Sequence, residues 1–166
     1  MLIHYYRLSN WLYRHHFRLI PKFLYYIQYL LFNSSVPASC EIGKRTKFGY
    51  GGIAVIIHKR AKIGKECIIG SCVTIGGKSG WYEVPVIGNN VEISTGAKVL
   101  GPVIVGNNVI IGANAVVVKD VPDNCIVAGC PAKIIRKLDN DDPLKSRDVR
   151  YRGDKEFPVT EFQKEQ

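Results

Sequence analysis

Four histidines are the side chains in this sequence best suited to acid–base chemistry at neutral pH: His4, His15, His16 and His58. The first three lie in an apolar N-terminal stretch, where their spacing is typical of a solvated surface or an interface. His58 stands alone in a later, glycine-rich region. Because an imidazole titrates near neutrality, His58 is a candidate general base that takes a proton from a hydroxyl. The alternative is a surface histidine at a turn.

Metal binding is not expected at His58, because zinc takes three or four ligands and this region offers one histidine. The sequence has five cysteines and no CxxC pair: Cys40, Cys67, Cys72, Cys125 and Cys130. Most of them fall where a repeat would point them inward. We therefore expect reduced, buried packing residues and no metal site.

A six-residue repeat organises the region around His58. An aliphatic residue recurs every six positions, often followed by glycine, with a small or β-branched residue four positions after it. The aliphatic positions are Ile57, Ile63, Ile69, Ile75, Ile87, Ile93, Val99, Val105, Ile111 and Val117, with Trp81 in the one gap. A period of six fits a short strand plus a corner, and neither an α-helix nor a coiled coil. The pattern predicts an all-β fold, a left-handed parallel β-helix of about five coils, each made of three hexads.

The chain divides into three segments on this basis. Residues 1–35 have apolar residues at three- to four-residue spacing, which predicts a helical cap over the open end of the β-helix. Residues 36–135 form the β-helix domain with an exit segment, and residues 136–166 form a charged C-terminal tail that we expect to be partly disordered. The first segment is also basic, and contact with a membrane surface is a second, compatible interpretation.

We expect a cytoplasmic protein, because no secretory signal is recognisable and the apolar run from 23 to 32 is too short to span a bilayer. The formal net charge of +9 favours an anionic partner. A membrane or a phosphorylated cofactor satisfies that condition. Nucleic acid is not expected, since no RNA-binding or zinc-finger signature is present.

Two columns of residues are predicted at the corner that carries His58, if every coil consists of three hexads. They are His58, Gly76, Ser94 and Gly112, and beside them Lys59, Gly77, Thr95 and Ala113. Such a ladder of small residues exposes backbone groups to which a thin ligand like pantetheine could bind. The alternative is that corners need small residues in any case.

The repeat is interrupted twice, and interruptions of a regular scaffold are where sites tend to lie. Three extra residues fall between Phe48 and Ile57, directly before His58. The segment 77–86 keeps the period of six but loses its pattern, and we expect it to leave the coil as a loop.

Several runs resemble the serine acetyltransferase branch of the hexapeptide acyltransferases. They begin at Ile69 (IGSCVTIGG), Ile93 (ISTGAKVLG) and Ile111 (IGANAVV), and continue into DVP and AGCPAK. The resemblance covers about residues 36–135. It implies an enzyme that uses acetyl-CoA without a metal, and a homotrimer that holds acetyl-CoA in the groove between neighbouring β-helices.

The resemblance also implies roles for individual residues. Gly77, Thr95 and Ala113 match coenzyme-contacting positions, and Lys133 is similar to a basic residue near the coenzyme phosphates. Two family features are missing here. The Asp-His pair of serine acetyltransferases is replaced by Tyr50 and Gly51, and their second site histidine aligns with Val84.

The stretch 49–58 looks more like a sub-branch found among polysaccharide genes. We therefore expect transfer of an acetyl group to a hydroxyl of a sugar or surface-polysaccharide precursor, with His58 as the base. Tyr50, Trp81 and Tyr82 would bind the sugar by stacking and neutral hydrogen bonds, or merely pack the trimer groove. Serine O-acetylation remains the alternative. A γ-type carbonic anhydrase and a non-catalytic scaffold are more remote.

Overall fold

The computed structural model describes residues 2–17 and 19–139, so the predicted C-terminal tail lies outside the described residues from position 140 onward. Two helices come first, α1 (Leu2–Arg14) and α2 (Leu19–Phe32). Short strands follow: β1 Glu41–Ile42, β2 Lys47–Phe48, β3 Ile56–Ile57, β4 Lys62–Ile63, β5 Ile68–Ile69, β6 Thr74–Gly76, β7 Val86–Ile87, β8 Glu92–Ile93, β9 Lys98–Leu100, β10 Ile104–Val105, β11 Val109–Ile111, β12 Val116–Val117, β13 Cys125–Gly129 and β14 Ala132–Lys137. None of the described helices is long and apolar enough to cross a membrane.

The strands form three sheets, which the chain visits in turn. The first sheet is β1-β4-β7-β10, the second is β2-β5-β8-β11-β13-β14 and the third is β3-β6-β9-β12. Pairing is parallel except between β13 and β14. We call the turns from first to second, second to third, and third to first sheet the first, second and third corners. The predicted left-handed parallel β-helix with a helical cap is confirmed, with four complete coils and part of a fifth.

The hexad pattern produces this fold because its two constrained positions point inward. The recurring aliphatic residues, such as Ile69, Ile75 and Ile93, are fully buried in one continuous core. Burying each of these side chains contributes roughly 1.5–3 kcal/mol. The small position of the hexad is buried too, as at Ala61 and Ala97, which lets three short sheets meet around a narrow interior.

The first corner shows why the repeat needs glycine. Gly43, Gly64, Gly88 and Gly106 stack there, and a Cβ on Gly64 would lie 2.3 Å from the carbonyl oxygen of Gly88. Asparagines turn the chain at the same corner: Asn90, Asn108 and Asn124 all have φ between 55° and 57°. The side-chain amides of the first two donate to the next one at 2.9 Å. Asparagine suits this left-handed conformation better than most residues.

The helices close the first coil by hydrogen bonding to its free edge. The Tyr6 hydroxyl donates to the carbonyl oxygen of Cys40 at 2.7 Å. The Arg7 guanidinium donates to the carbonyl oxygens of Ile42 and Gly43, both at 2.6 Å. An uncovered edge would leave these carbonyls without partners or open to another strand. Burial raises the pKa of the Cys40 thiol to about 12, which keeps it protonated and unreactive.

The spacing between coils is not always three hexads, and this corrects the predicted ladder. Ile57 pairs with Ile75, three hexads further along the chain, but Ile75 pairs with Val99, which is four hexads further along. The segment after β6 does leave the coil as a loop, and it consumes a whole hexad before β7 begins. Every residue after the loop therefore lies one sheet away from the position that counting three hexads per coil predicts.

The predicted column of His58, Gly76, Ser94 and Gly112 is therefore right only in its first step. His58 does stack with Gly76, because Ile57 pairs with Ile75, but Gly76 pairs with Leu100 in the next coil. Ser94 lies instead at the second corner, where it approaches Gly70, and Gly112 follows it there in the next coil.

Candidate active site

His58 lies at the third corner, directly after β3, and its side chain is half-buried. Its backbone N–H donates to the carbonyl oxygen of Ile75 at 2.8 Å, which fixes the residue on the next coil. Gly77 opens the loop beside it. A Cβ at Gly77 would come within 3.7 Å of His58 Cδ2 and 3.9 Å of Nε2. The missing side chain therefore leaves one side of the imidazole accessible.

The surroundings of His58 favour a neutral imidazole. Desolvation, followed by the positive charges of Arg60 and Lys59, lowers the pKa of His58 below its ordinary value. The Nδ1 atom accepts a hydrogen bond from the backbone N–H of Arg60 at 3.2 Å. The neutral ring then carries its proton on Nε2. Nδ1 then holds the only lone pair of the ring, so His58 must release the Arg60 N–H before it can accept a proton from a hydroxyl. The ring can then take the proton on Nδ1, or move its own proton to Nδ1 and take the new one on Nε2.

Arg60 is a site residue that sequence reasoning missed. Its guanidinium carbon lies 4.0 Å from the centre of the Tyr82 ring, and Nη2 donates to the carbonyl oxygen of Tyr82. The Nε atom is buried and has no hydrogen-bond partner among the described residues. Arg60 therefore fixes the loop with its side chain and His58 with its backbone. The contact with Tyr82 spans 22 residues and follows no motif, so the sequence carried no signal for it.

A cavity of about 800 Å³ lies beside this corner, against the first sheet. Its charged lining residues are Glu41, Lys59, Arg60, Lys62 and Glu83. Lys62 Nζ and Glu41 Oε1 are 3.8 Å apart and form an ion pair. The remaining charges are two cations and one carboxylate.

His58 does not line this cavity itself. Val84 connects the two: it lines the cavity, and its Cγ1 would lie 3.3 Å from a Cβ at Gly77. The imidazole and the charged cavity therefore flank the same stretch of loop.

The three predicted aromatic contacts are not brought together within one chain. Trp81 and Tyr82 are exposed on the loop at the third corner, where Lys78 Nζ lies 5.7 Å from the centre of the Trp81 ring. Tyr50 lies at the second corner with 78% of its surface exposed. It belongs to the turn Gly49–Gly52, where three extra residues were expected before β3.

The four predicted coenzyme residues likewise fall into two groups. Gly77 accompanies His58 at the third corner. Thr95 is at the second corner, where its hydroxyl lies 3.4 Å from that of Ser71, and Ala113 follows it one coil later. Lys133 is exposed on β14 and pairs with Ala128, which packs over Gly112 at that corner. The residues 2–17 and 19–139 contain no cluster of three or more His, Cys, Asp or Glu that could hold a metal.

Comparison with known proteins first defines the class. Residues 85–119 match the family described as "Bacterial transferase hexapeptide (six repeats)". The chain is 37% identical over 131 residues to a serine acetyltransferase of Synechococcus elongatus, covering 78% of this chain and 53% of that relative. It is 37% identical over 134 residues to a serine acetyltransferase of Helicobacter pylori, covering 80% of this chain and 78% of that relative.

A solved structure agrees with these relatives. The serine acetyltransferase of Brucella abortus in complex with coenzyme A superposes with a TM-score of 0.79 at 29% identity, over 83% of this chain and 56% of that one. The chain therefore belongs to the serine acetyltransferase family of hexapeptide-repeat transferases. It spans about half the length of the Synechococcus and Brucella proteins.

The expectation of a sugar or surface-polysaccharide acceptor is wrong. The relatives that match over most of this chain are named as serine acetyltransferases. The replaced Asp-His pair suggested otherwise because the sequence showed no charged group that could bind an amino acid. The fold brings three charged residues, the adjacent Lys59 and Arg60 and the more distant Glu83, around one cavity.

Proposed function

We propose that this protein transfers the acetyl group of acetyl-CoA to the hydroxyl of serine, with His58 as the general base and no metal. The observation that carries the proposal is a histidine of lowered pKa beside a cavity with charges of both signs. Serine is a zwitterion, whereas a neutral sugar needs no such charges. The names of the relatives and the coenzyme A complex of the Brucella protein support the same activity.

The reaction needs one proton to move twice. The serine hydroxyl oxygen attacks the thioester carbonyl while its proton passes to His58. The resulting tetrahedral intermediate collapses, the carbon–sulfur bond breaks, and the leaving sulfur takes the proton back from the imidazolium. The products are O-acetylserine and coenzyme A. The lowered pKa of His58 suits both transfers, because the imidazole is neutral at pH 7 and its imidazolium is a stronger acid than that of an ordinary histidine.

The acceptor would be held by the charged cavity residues that lie outside the ion pair of Lys62 and Glu41. Its carboxylate would pair with Arg60 or Lys59, and its ammonium group with Glu83. The Nε of Arg60 is a buried donor without a partner among the described residues, and leaving such a donor unpaired costs about 1–3 kcal/mol. A shift of the Arg60 side chain towards a bound carboxylate would give this donor a partner and remove that cost.

The coenzyme site would lie between subunits of a homotrimer. Gly77 and the pair Thr95 and Ala113 are at different corners of one chain, so one acetyl-CoA can contact all three if the third corner of one subunit faces the second corner of its neighbour. Lys133, exposed at the second corner, would meet the coenzyme phosphates. The two positions that lack the family histidines, Gly51 and Val84, are divided between the same two corners.

Steady-state kinetics with acetyl-CoA and L-serine test the proposal. We expect turnover of serine. For serine methyl ester we expect kcat/KM to be lower than for serine by about tenfold or more, because the ester lacks the carboxylate charge. His58→Ala should reduce kcat by roughly 10²–10⁴-fold while coenzyme A affinity stays nearly unchanged. A protein that binds coenzyme A but does not acetylate serine would refute the proposal.

A further inference from the structure

The helical cap exposes an apolar surface that the β-helix does not cover. Along α2, Leu19, Phe23, Tyr26 and Leu30 follow one another at intervals of four, three and four residues, so they lie on one side of the helix. Leu19 and Leu30 are 83% and 84% exposed, and the two aromatic side chains are more than half exposed. We call these four residues the α2 stripe. Other apolar side chains of the two helices and the turn between them are exposed as well, namely Leu8, Trp11, Phe17, Ile20, Tyr29 and Leu31.

The charged side chains beside the α2 stripe are basic. Arg14 and Lys22 are exposed at the end of α1 and the start of α2. The first 40 residues of the sequence contain no aspartate or glutamate. An exposed apolar and aromatic helix face with only basic charged residues beside it is typical of a helix lying in a lipid headgroup region.

We propose that the helical cap docks on an anionic membrane surface, with the α2 stripe among the lipid chains and the cations of the α1–α2 turn on the headgroups. The helices would lie on the bilayer, since neither described helix is long and apolar enough to cross it. In the trimer proposed above, cyclic symmetry would place three such surfaces on the same side. Their combined binding would exceed that of one surface by avidity.

A second copy of the chain is the competing occupant, because the 4-3-4 spacing of the α2 stripe also suits packing between helices. Charge disfavours it. Two caps facing each other would bring Arg14 and Lys22 of both copies together, without a carboxylate in either N-terminal segment to offset them. Anionic lipid provides that negative charge over the whole contact.

Vesicle co-sedimentation of the full chain tests the proposal. We expect binding to vesicles of phosphatidylcholine with about one third phosphatidylglycerol, weaker binding to phosphatidylcholine alone, and release from the anionic vesicles as salt is raised. The double variant Leu19→Glu with Leu30→Glu should lose about tenfold or more in apparent affinity. Ile135→Glu is the matched control, because Ile135 is also apolar and 63% exposed but lies on β14, far from the cap in the coil order; its binding should match that of the unaltered chain.

Three further measurements keep the outcome decisive. Sedimentation velocity without lipid should give the same mass for the double variant and the unaltered chain; a lower mass for the variant would assign the α2 stripe to self-association and overturn the proposal. Absence of binding to anionic vesicles would overturn it too. If the double variant fails to fold, Arg14→Glu with Lys22→Glu replaces it, and undiminished binding would be the contrary result. Serine acetylation by the soluble variants reports separately on the proposed activity.

Discussion

One neighbour, Arg60, affects the protonation of the His58 imidazole in two ways. The backbone N–H of Arg60 bonds to Nδ1, and the guanidinium of the same residue adds a positive charge nearby. Both disfavour the imidazolium. Together with desolvation, the largest cause, they lower the pKa of His58 and leave a base that is neutral over a wider pH range than an ordinary histidine.

The pH dependence of kcat/KM for serine should show this. His58 acts as a base when neutral, so the rate falls as pH drops through its pKa; because that pKa is lowered from 6.5, the acid limb should lie below pH 6.5. Arg60→Met removes one of the causes of the shift and should move the limb to higher pH. Lys47→Met changes the net charge equally on β2 and should leave it in place. The assignment fails if Arg60→Met lowers activity without moving the limb, and in that case Arg60 would act by holding Tyr82 or by binding the serine carboxylate.

For individual residues, the sequence was enough to make His58 a candidate base but not to single out Arg60. A lone histidine in a repeat is visible by inspection. The role of Arg60 depends on Tyr82, which the loop carries back to it across 22 residues. Side-chain contacts of this kind follow from three-dimensional closure rather than from any periodicity.

The corners, rather than the strands, determine which residues meet. Strands of two or three residues carry the core, and hexad counting predicted them well: the recurring aliphatic residues are buried along the whole β-helix. Counting failed where the chain left the repeat. Because the loop that begins at Gly77 keeps the period of six, the pattern does not show that Thr95 and Ala113 lie at the second corner rather than beside His58.

The glycine column of the first corner gives a stability test of this architecture. Gly64→Ala would place a Cβ 2.3 Å from the carbonyl oxygen of Gly88, a backbone atom that cannot move without shifting the coil. We expect a loss of about 1–3 kcal/mol and a lower thermal unfolding midpoint in calorimetry. Gly49→Ala is the control, since its nearest neighbour, the carbonyl oxygen of Ile69, would be 3.6 Å away, and its midpoint should barely change. Equal midpoints for the two variants would mean that the coils do not stack as closely as described.

Over the whole molecule, the proposed function gives each chain two incomplete half-sites. His58 and Gly77 would form one half at the third corner, and Thr95, Ala113 and Lys133 would form the other at the second. In the proposed trimer, each chain would contribute to two sites, one on either side. Assembly would then be a condition of catalysis rather than a matter of stability alone.

Mixed trimers test this division. His58→Ala should inactivate the third-corner half, and Ala113→Trp should block the coenzyme at the second-corner half. Trimers co-expressed from both variants should recover about a quarter of the normal activity, because a random arrangement in a cyclic trimer pairs an intact third corner with an intact second corner at that frequency. Preformed trimers of each variant, combined without subunit exchange, should stay inactive. A mixed trimer that is as inactive as its parents would place the whole site within one chain.

The loop 77–85 has a consequence for how such proteins can diverge. Because its extra hexad lies outside the coil, β7 still follows β6 onto the next sheet, and the downstream residues keep the neighbours that a short corner would give them. The same six residues retained inside the coil would rotate everything downstream by one face of the triangle. Insertions of six residues are therefore of two kinds in proteins of this architecture, and only the retained kind is expected to bring different side chains into a groove.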